Sequence, residues 1–415
     1  MKIVIATYGT EGDTRPLAAL GRALLDAGHQ VRFLADAATL GSVATLGIDT
    51  TPLSGDIKTA LQPEKETQPS EIVRTLTDIT NTHAESWLRE IVSAGKGCDA
   101  IIVSALASFV GLSAAESLGV RAVGAGSIPI TPTTAFASPF LPPRLVPKWL
   151  NKPSHTFINN AIWKLLRKKT NAARARVCGL PPQRAVPTNH PMLWGVSPSL
   201  LPRPDDYPST ATICGQWVAP TRHWEPPPAL AEFLNAGEPP LYVGFGSMAG
   251  LLPPAALSEL IAGIGARRAL FYAGWSTIRA GQLPSNFLLI RDTPHDWLFP
   301  RTSAVIHHGG AGTSHSAARA GVPCVVVPFA GDQPFWANRL HQLGVAPAAM
   351  SARRLHRSKL AADLEFTDQP PVRARAAALG AQMKCEDGLV TAVRAIETLV
   401  REGRTASSGD GATLG

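Results

Sequence analysis

The chain reads as an α/β protein built from two doubly wound domains that face each other across a cleft. Three observations predict this. Short apolar strands alternate with helical patterns through the first half, which is the signature of βαβ units and a parallel sheet covered on both faces. The same scheme restarts at Pro240, after a proline-rich interval. The 415 residues are too many for one ordinary core but suit two domains of about 200 residues each.

Taken in order, residues 2–7 form a strand and 14–27 a helix with Leu17, Leu20, Leu24 and Leu25 on one face. Gly28 and His29 end that helix before a strand at 30–35. Two more strands, 100–104 and 121–125, flank a helix at 110–118. The pattern breaks in the proline-rich segment 128–153 and returns to a helix at 156–177. A second proline-rich zone, 198–228, has little periodicity and is the expected domain junction. Strands follow at 240–244, 269–273, 288–291, 304–307 and 324–328, and 389–400 is a last helix. The expected units are 1–218, 219–385, a C-terminal helix at 386–403 packing back on the first domain, and a disordered tail at 404–415.

Apolar residues make up 45% and charged residues 17% of the chain, the balance of a packed globular protein. Subtracting 31 acidic from 39 basic residues leaves a net charge of +8, which favours anionic ligands or membrane surfaces. The cations do not form the long aromatic-interleaved run of a nucleic-acid binder, so nucleic acid is not an expected partner. Cys98, Cys178, Cys214, Cys324 and Cys385 have no metal-ligand or redox spacing. Cys324 reads as a small buried hydrophobe. Met1 leads directly into a strand, and the most apolar stretch, 100–128, is broken by Glu116 and Arg121. A cytoplasmic location is expected.

The densest chemistry runs from His307 to Gln333: a histidine pair, a glycine turn, an alanine-rich helix at 313–320, a buried strand, then Asp332-Gln333. Gly309-Gly310-Ala311-Gly312-Thr313-Ser314 lacks the lysine of a P-loop and the spacing of the dinucleotide fingerprint. It can still offer backbone N–H groups to a phosphate at the helix start, with Thr313 and Ser314 capping and His308 donating a further hydrogen bond. Asp332 and Gln333, an acceptor carboxylate beside an amide at the mouth of the sheet, suit the hydroxyls of a sugar.

The segment 293–344 resembles the nucleotide-sugar signature of family 1 glycosyltransferases of the GT-B fold, two Rossmann-like domains with the active site between them. Gly9-Thr10-Glu11-Gly12-Asp13-Thr14-Arg15-Pro16 resembles the acceptor-side loop of that family, and Gly244-Phe245-Gly246-Ser247 its interdomain loop. Within that family the chain resembles the bacterial glycopeptide-antibiotic glucosyltransferases and the sterol glucosyltransferases. Pro328-Phe329 with Gly331-Asp332-Gln333-Pro334-Phe335-Trp336-Ala337 leans to the sterol type, and 227–234 to the antibiotic type.

The resemblance implies Asp13 as general base, with Thr10 assisting; Asp13 as the N-cap of a helix starting at Thr14 is the other reading of that residue. It implies the donor diphosphate on His308, Gly310, Gly312, Thr313, Ser314 and Ser247, and the donor sugar on Asp332 and Gln333. Thr293, His295 and Ser316 fall at the nucleoside. No Asp-x-Asp sequence occurs, so no metal and no cofactor are expected, the helix dipole and donors standing in for the ion. Two departures stand out: Asp292 where many relatives stack a tryptophan on uracil, and Ser316 where many bind the ribose with a glutamate. They leave uridine and thymidine donors both open.

Phe136, Phe140 and Trp149 fall in the variable acceptor region and imply a hydrophobic small-molecule acceptor. The same residues can equally well cover the sheet. Lys148 to Lys152 and Trp163 to Lys169 mix aromatics with cations, read either as a solvated basic face or as a weak peripheral membrane contact. The expected activity is inverting, metal-independent hexosyl transfer, with UDP-glucose the first choice of donor. The alternatives are a dTDP-deoxysugar transferase, a two-domain nucleotide-sugar epimerase, and an inactive GT-B-like partner protein.

Overall fold

The computed structural model describes residues 1–61, 69–219, 224–274, 276 and 278–409. Twelve strands among these residues form two sheets, and every strand pairs with its neighbours in parallel. The first holds β1 (Lys2–Tyr8), β2 (Gln30–Asp36), β3 (Asp49–Leu53), β4 (Ala100–Ala105), β5 (Arg121–Gly126), β6 (Met192–Trp194) and β7 (Ala211–Ile213), in the order β3-β2-β1-β4-β5-β6-β7. The second holds β8 (Leu241–Gly244), β9 (Ala269–Tyr272), β10 (Phe287–Ile290), β11 (Ala304–His307) and β12 (Cys324–Val326), in the order β10-β9-β8-β11-β12.

The strands are apolar on both faces because helices cover both. In β1, Ile3 and Ile5 join one core cluster while Val4, Ala6 and Tyr8 join another, the two-residue alternation of a strand. β11 repeats the arrangement, with Val305 on one side and Ala304 and Ile306 on the other. The isoleucines and valines among them, nearly solvent-free, each contribute roughly 1.5–3 kcal/mol of burial.

Several boundaries differ from the sequence expectation. The first helix is Glu11–Asp26, three residues earlier than expected, because Thr10 caps it with its own side chain. The helix expected at 156–177 spans Asn151–Cys178, Pro153 being tolerated in its first turn. A long helix, Pro69–Ala94, packs beside it and carries Trp87, Leu88 and Ile91 into the core. The last helix runs Gly388–Gly409, so residues 404–409 continue a helix where a disordered tail was expected. The remainder of that tail, 410–415, lies outside the described residues.

That last helix lies on the first domain. Ala392, Val393, Ile396 and Val400, spaced for one face, share a core cluster with Ile3, Leu20 and Phe33. Its start is fixed by close backbone approach: a Cβ at Gly215 (φ +108°) would lie 2.8 Å from Gly388 Cα. Trp217 Nε1 donates to Gly388 O at 3.2 Å, and the hydroxyls of Ser197 and Ser199 donate to Glu386 at 2.8 and 2.6 Å.

Candidate active site

The C-terminal ends of the two sheets face each other across a cleft of about 2440 Å³, the expected ligand position in open parallel sheets. Each domain contributes a strand, a glycine turn and a helix N-terminus. In the first, β1 ends at Tyr8 and Thr10 begins the helix in extended conformation. Asp13 Oδ2 accepts from the Thr10 N–H at 2.9 Å and the Thr10 hydroxyl at 3.3 Å, while Gly12 N–H donates to Thr10 Oγ1 at 3.3 Å. This is a capping box. Asp13 is therefore the third helical residue, not the N-cap. Its carboxylate lies over Gly9, where any Cβ would collide with it. Burial raises the Asp13 pKa, against the hydrogen bonds from Thr10 that lower it.

In the second domain, β11 ends at His307, whose Nδ1 accepts from the Gly309 N–H at 3.1 Å. Gly309 has φ +89°, and a Cβ there would lie 2.9 Å from Gln333 O. The next helix begins at Ala311, two residues before the expected start, with Gly310 as an N-cap that has no side chain to close it. The first amides of a helix have no intrahelical acceptor, so those of Ala311, Gly312 and Thr313 are available. Ser314 is different. Its N–H donates to Gly310 O at 3.0 Å and its hydroxyl is fully buried, so it does not serve the cleft as expected.

His308 lines the cleft and packs on Gly310, where a Cβ would strike its Nε2. Burial, helped by the positive form of His295, lowers the His308 pKa to about 4. It is neutral at pH 7. Ser247 lies in the 3₁₀ turn Gly246–Leu251 and also lines the cleft. Gly246 (φ +55°) brings that turn beside His308, a Cβ there lying 3.5 Å from His308 Cε1.

Asp332 accepts from Trp336 Nε1 at 2.8 Å. Burial and, to a lesser degree, the charge of Asp13 raise its pKa to about 7. The two carboxylates, one from each domain, thus sense each other across the cleft. Gln333 is less free than expected, because its Oε1 already accepts from Phe329 N–H at 2.7 Å and Ala330 N–H at 3.1 Å. Only its amide nitrogen remains for a ligand.

Thr293 and His295 line the cleft, but both are packed. The Thr293 hydroxyl donates to Arg291 O at 2.9 Å, and the His295 ring stacks on Phe299 at 4.2 Å. Ser316 Oγ accepts from Gln216 Nε2 at 3.2 Å. Gln216, in an irregular segment, had no sequence signal. Arg15 belongs to the acceptor-side motif but had no assigned role, and it reaches across the cleft to Asp292 with two hydrogen bonds, at 3.2 and 2.5 Å.

Of the expected acceptor residues, only Phe140 lines the cleft. Phe136 instead packs against Phe335 at 5.2 Å and His155 at 5.5 Å, filling the contact between the domains. Trp149 is 77% exposed on a short 3₁₀ turn. The apolar wall is built by Phe109, Leu112, Ile130, Ile162 and Met192, which the sequence presents as ordinary core. Among the described residues, no group of three or more His, Cys, Asp or Glu side chains could hold a metal ion. No described helix is long and apolar enough to cross a membrane.

Comparison with known proteins places these features in a family. Residues 3–136 match the model of the glycosyltransferase family 28 N-terminal domain, and 274–399 that of the erythromycin biosynthesis protein CIII-like C-terminal domain. The chain is 32% identical to sterol 3-beta-glucosyltransferase UGT80A2 of Arabidopsis thaliana, over 95% of this chain and 65% of that protein. It is 30% identical to UGT80B1 of the same plant, over 95% of this chain and 67% of that protein. A sterol 3-beta-glucosyltransferase of Yarrowia lipolytica matches at 30%, the chain spanning 28% of its length. Among solved structures, the glycosyltransferase VinC in complex with dTDP superposes with TM-score 0.67 at 19% identity, covering 98% of this chain and all of that one. The kitacinnamycin glycosyltransferase gives TM-score 0.69 at 19% identity, over 96% and 99%. These two likenesses establish the fold alone. The chain belongs to the GT-B glycosyltransferases, in the family of the sterol glucosyltransferases.

Proposed function

We propose that the chain transfers a hexosyl group from a nucleotide sugar to a hydroxyl of a hydrophobic acceptor, with inversion at the anomeric carbon. The observation that carries this reading is the opposition of two helix N-termini across one cleft, one closed by Asp13 and the other open beside His308. Asp13 takes the proton of the acceptor hydroxyl as that oxygen attacks the anomeric carbon. The bond from that carbon to the diphosphate oxygen breaks as the new one forms, on the opposite face, so the configuration inverts. Charge developing on the leaving diphosphate meets the amides of Ala311, Gly312 and Thr313, the helix dipole, the neutral His308 imidazole and Ser247. Asp332 and the Gln333 amide nitrogen hold sugar hydroxyls. Burial makes Asp13 a better base than an exposed aspartate, because its proton affinity is higher.

The acceptor wall is apolar, and the relatives' names point to sterols as the first acceptors to try, with UDP-glucose as donor. A thymidine donor is the second reading. It is favoured by Ser316, which is engaged with Gln216 and short of a carboxylate for a 2′-hydroxyl.

The test is a donor screen with UDP- and dTDP-sugars against sterol and polyphenol acceptors, following nucleoside diphosphate release and the anomeric configuration of the product. Release that needs both an acceptor and Asp13 supports the reading. No release from any pair, with wild type and Asp13→Asn indistinguishable, would sink it.

A further inference from the structure

Between Glu116 and Asp205 the chain has twelve lysines and arginines and not one aspartate or glutamate. This segment alone exceeds the net charge of the whole protein. The structure shows where the excess goes. Arg174 is buried and paired with Glu116 at 2.8 Å, Arg176 reaches Glu85 at 3.2 Å, and Lys152 lies 3.5 Å from Asp206. Arg144, Lys148, Lys164, Arg167, Lys168 and Lys169 are all exposed, and none forms an ion pair with a carboxylate of the described residues. The nearest acidic helix, Pro69–Ala94, has its carboxylates engaged elsewhere: Asp78 faces Arg74, and Glu85 faces Arg89 and Arg176.

The same segment exposes apolar side chains. Leu145 is 76%, Trp149 77%, Phe157 69% and Leu165 50% exposed. They are four of the seven large hydrophobic residues that stand out into solvent among the described residues. On the helix Asn151–Cys178, Phe157, Lys164 and Lys168 fall on one stripe at helical spacing, with Leu165 beside it. The opposite side of that helix is buried through Trp163, Leu166 and Ala173, and Asn159 and Ile162 on it line the cleft.

We infer that this face docks on an anionic lipid surface, its cations at the headgroups and Leu145, Trp149, Phe157 and Leu165 in the interfacial layer. Charge complementarity chooses the partner: a segment without acidic residues that exposes six unpaired cations is attracted to anionic headgroups. The apolar side chains choose lipid over nucleic acid, since exposed leucines beside the cations gain nothing from phosphates but bury area in a bilayer. Docked this way, the cleft lies about one helix diameter, roughly 10 Å, behind the contact face. If the transferase reading holds, an acceptor dissolved in the bilayer has a short path to Phe140 and Ile162.

The test is flotation of the full chain with phosphatidylcholine vesicles, with and without phosphatidylglycerol, at low and high salt. The variants are Lys164→Glu/Lys168→Glu and Trp149→Ser/Phe157→Ser, with an oligouridylate titration alongside. The expected result is salt-sensitive binding to the anionic vesicles only, weakened on the order of tenfold or more by either double variant. Turnover of a water-soluble acceptor is expected to be unchanged in both. Absence of binding to anionic vesicles would overturn the inference. So would binding that neither variant weakens, or capture of the oligonucleotide with the vesicles ignored. Vesicle binding without any turnover would strike the transferase reading and leave the docking face standing.

Discussion

The two domains solve the same local problem in opposite ways. Each runs a strand into a glycine turn and a helix, leaving amides at the helix start that need acceptors. The first domain closes its turn with its own chain: Thr10 caps the helix, and Asp13 folds back on Thr10. The second leaves its turn open, because Gly310 has no side chain to offer and the amides of Ala311 to Thr313 face the cleft. A closed turn holds one fixed negative group, and an open one receives a negative ligand. On the proposed reading, the first domain supplies the base and the second holds the diphosphate.

Closing the open turn is the most severe way to break this comparison. Gly310 has φ −60° and ψ 145°, the backbone of an N-cap. Gly310→Asp should therefore place a carboxylate on the amides proposed for the diphosphate. Nucleoside diphosphate affinity is expected to fall at least a hundredfold, on the order of 3 kcal/mol. Gly310→Ala, which meets His308 in the same way but adds no charge, should lose much less.

Opening the closed turn separates capping from chemistry. Asp13→Asn keeps an oxygen for Thr10 but loses the base, so kcat should drop about 10²- to 10⁴-fold with the fold's stability nearly intact. Asp13→Ala should show the same loss of turnover and a further destabilisation of about 1 kcal/mol from the broken capping box. Equal stability of the two variants would mean the box contributes nothing. Because burial raises the Asp13 pKa, and the base works deprotonated, kcat/KM should fall as pH drops, with its acid limb above the ordinary carboxylate range.

Asp332 gives a third test through pH. Its native pKa of about 7 lies above its unfolded value, so the native state holds the proton more tightly. The cost of its buried charge is absent below the unfolded pKa near 4, grows as pH rises, and is complete above pH 7. Asp332→Asn should therefore raise stability at pH 8 by a few kcal/mol, on the order of 2–4, and change little at pH 4. The same variant should slow sugar transfer. A thermal melt at the two pH values checks the sign.

The smallest effect belongs to the bridge between the domains. Arg15 and Asp292 are about half exposed, so Arg15→Ala should cost no more than about 1 kcal/mol, fading as salt rises. Its readout is the KM for donor at low and high ionic strength.

How much of this was legible in the sequence follows the same division. The open turn could be read because its histidines and glycines are adjacent in the chain and Asp332-Gln333 follow within one strand-helix-strand unit. Asp13 could be read as important, but its place inside a capping box depends on where the helix starts, and that was set by Thr10. The doubly wound fold was visible in the strand alternation, whereas β3, β6 and β7 are short or carry little apolar alternation and gave no signal. The apolar wall of the cleft was the least legible. Phe109 and Leu112 are helix residues of the kind that fill cores, and only the packing of that helix turns them to the cleft. Phe136 and Trp149 misled for the converse reason: an aromatic in a proline-rich segment carries no information about which way the loop faces. Gln216 and Arg15 act across 100 and 277 positions of sequence, a separation no local pattern encodes.

The division of labour between the turns is tested most directly by calorimetric titration of UDP and dTDP into wild type, Asp13→Asn and Gly310→Asp. The expected result is equal affinity for wild type and Asp13→Asn, with binding by Gly310→Asp weaker by a hundredfold or more. Full-strength binding by a folded Gly310→Asp would contradict the assignment of the open helix N-terminus to the donor diphosphate.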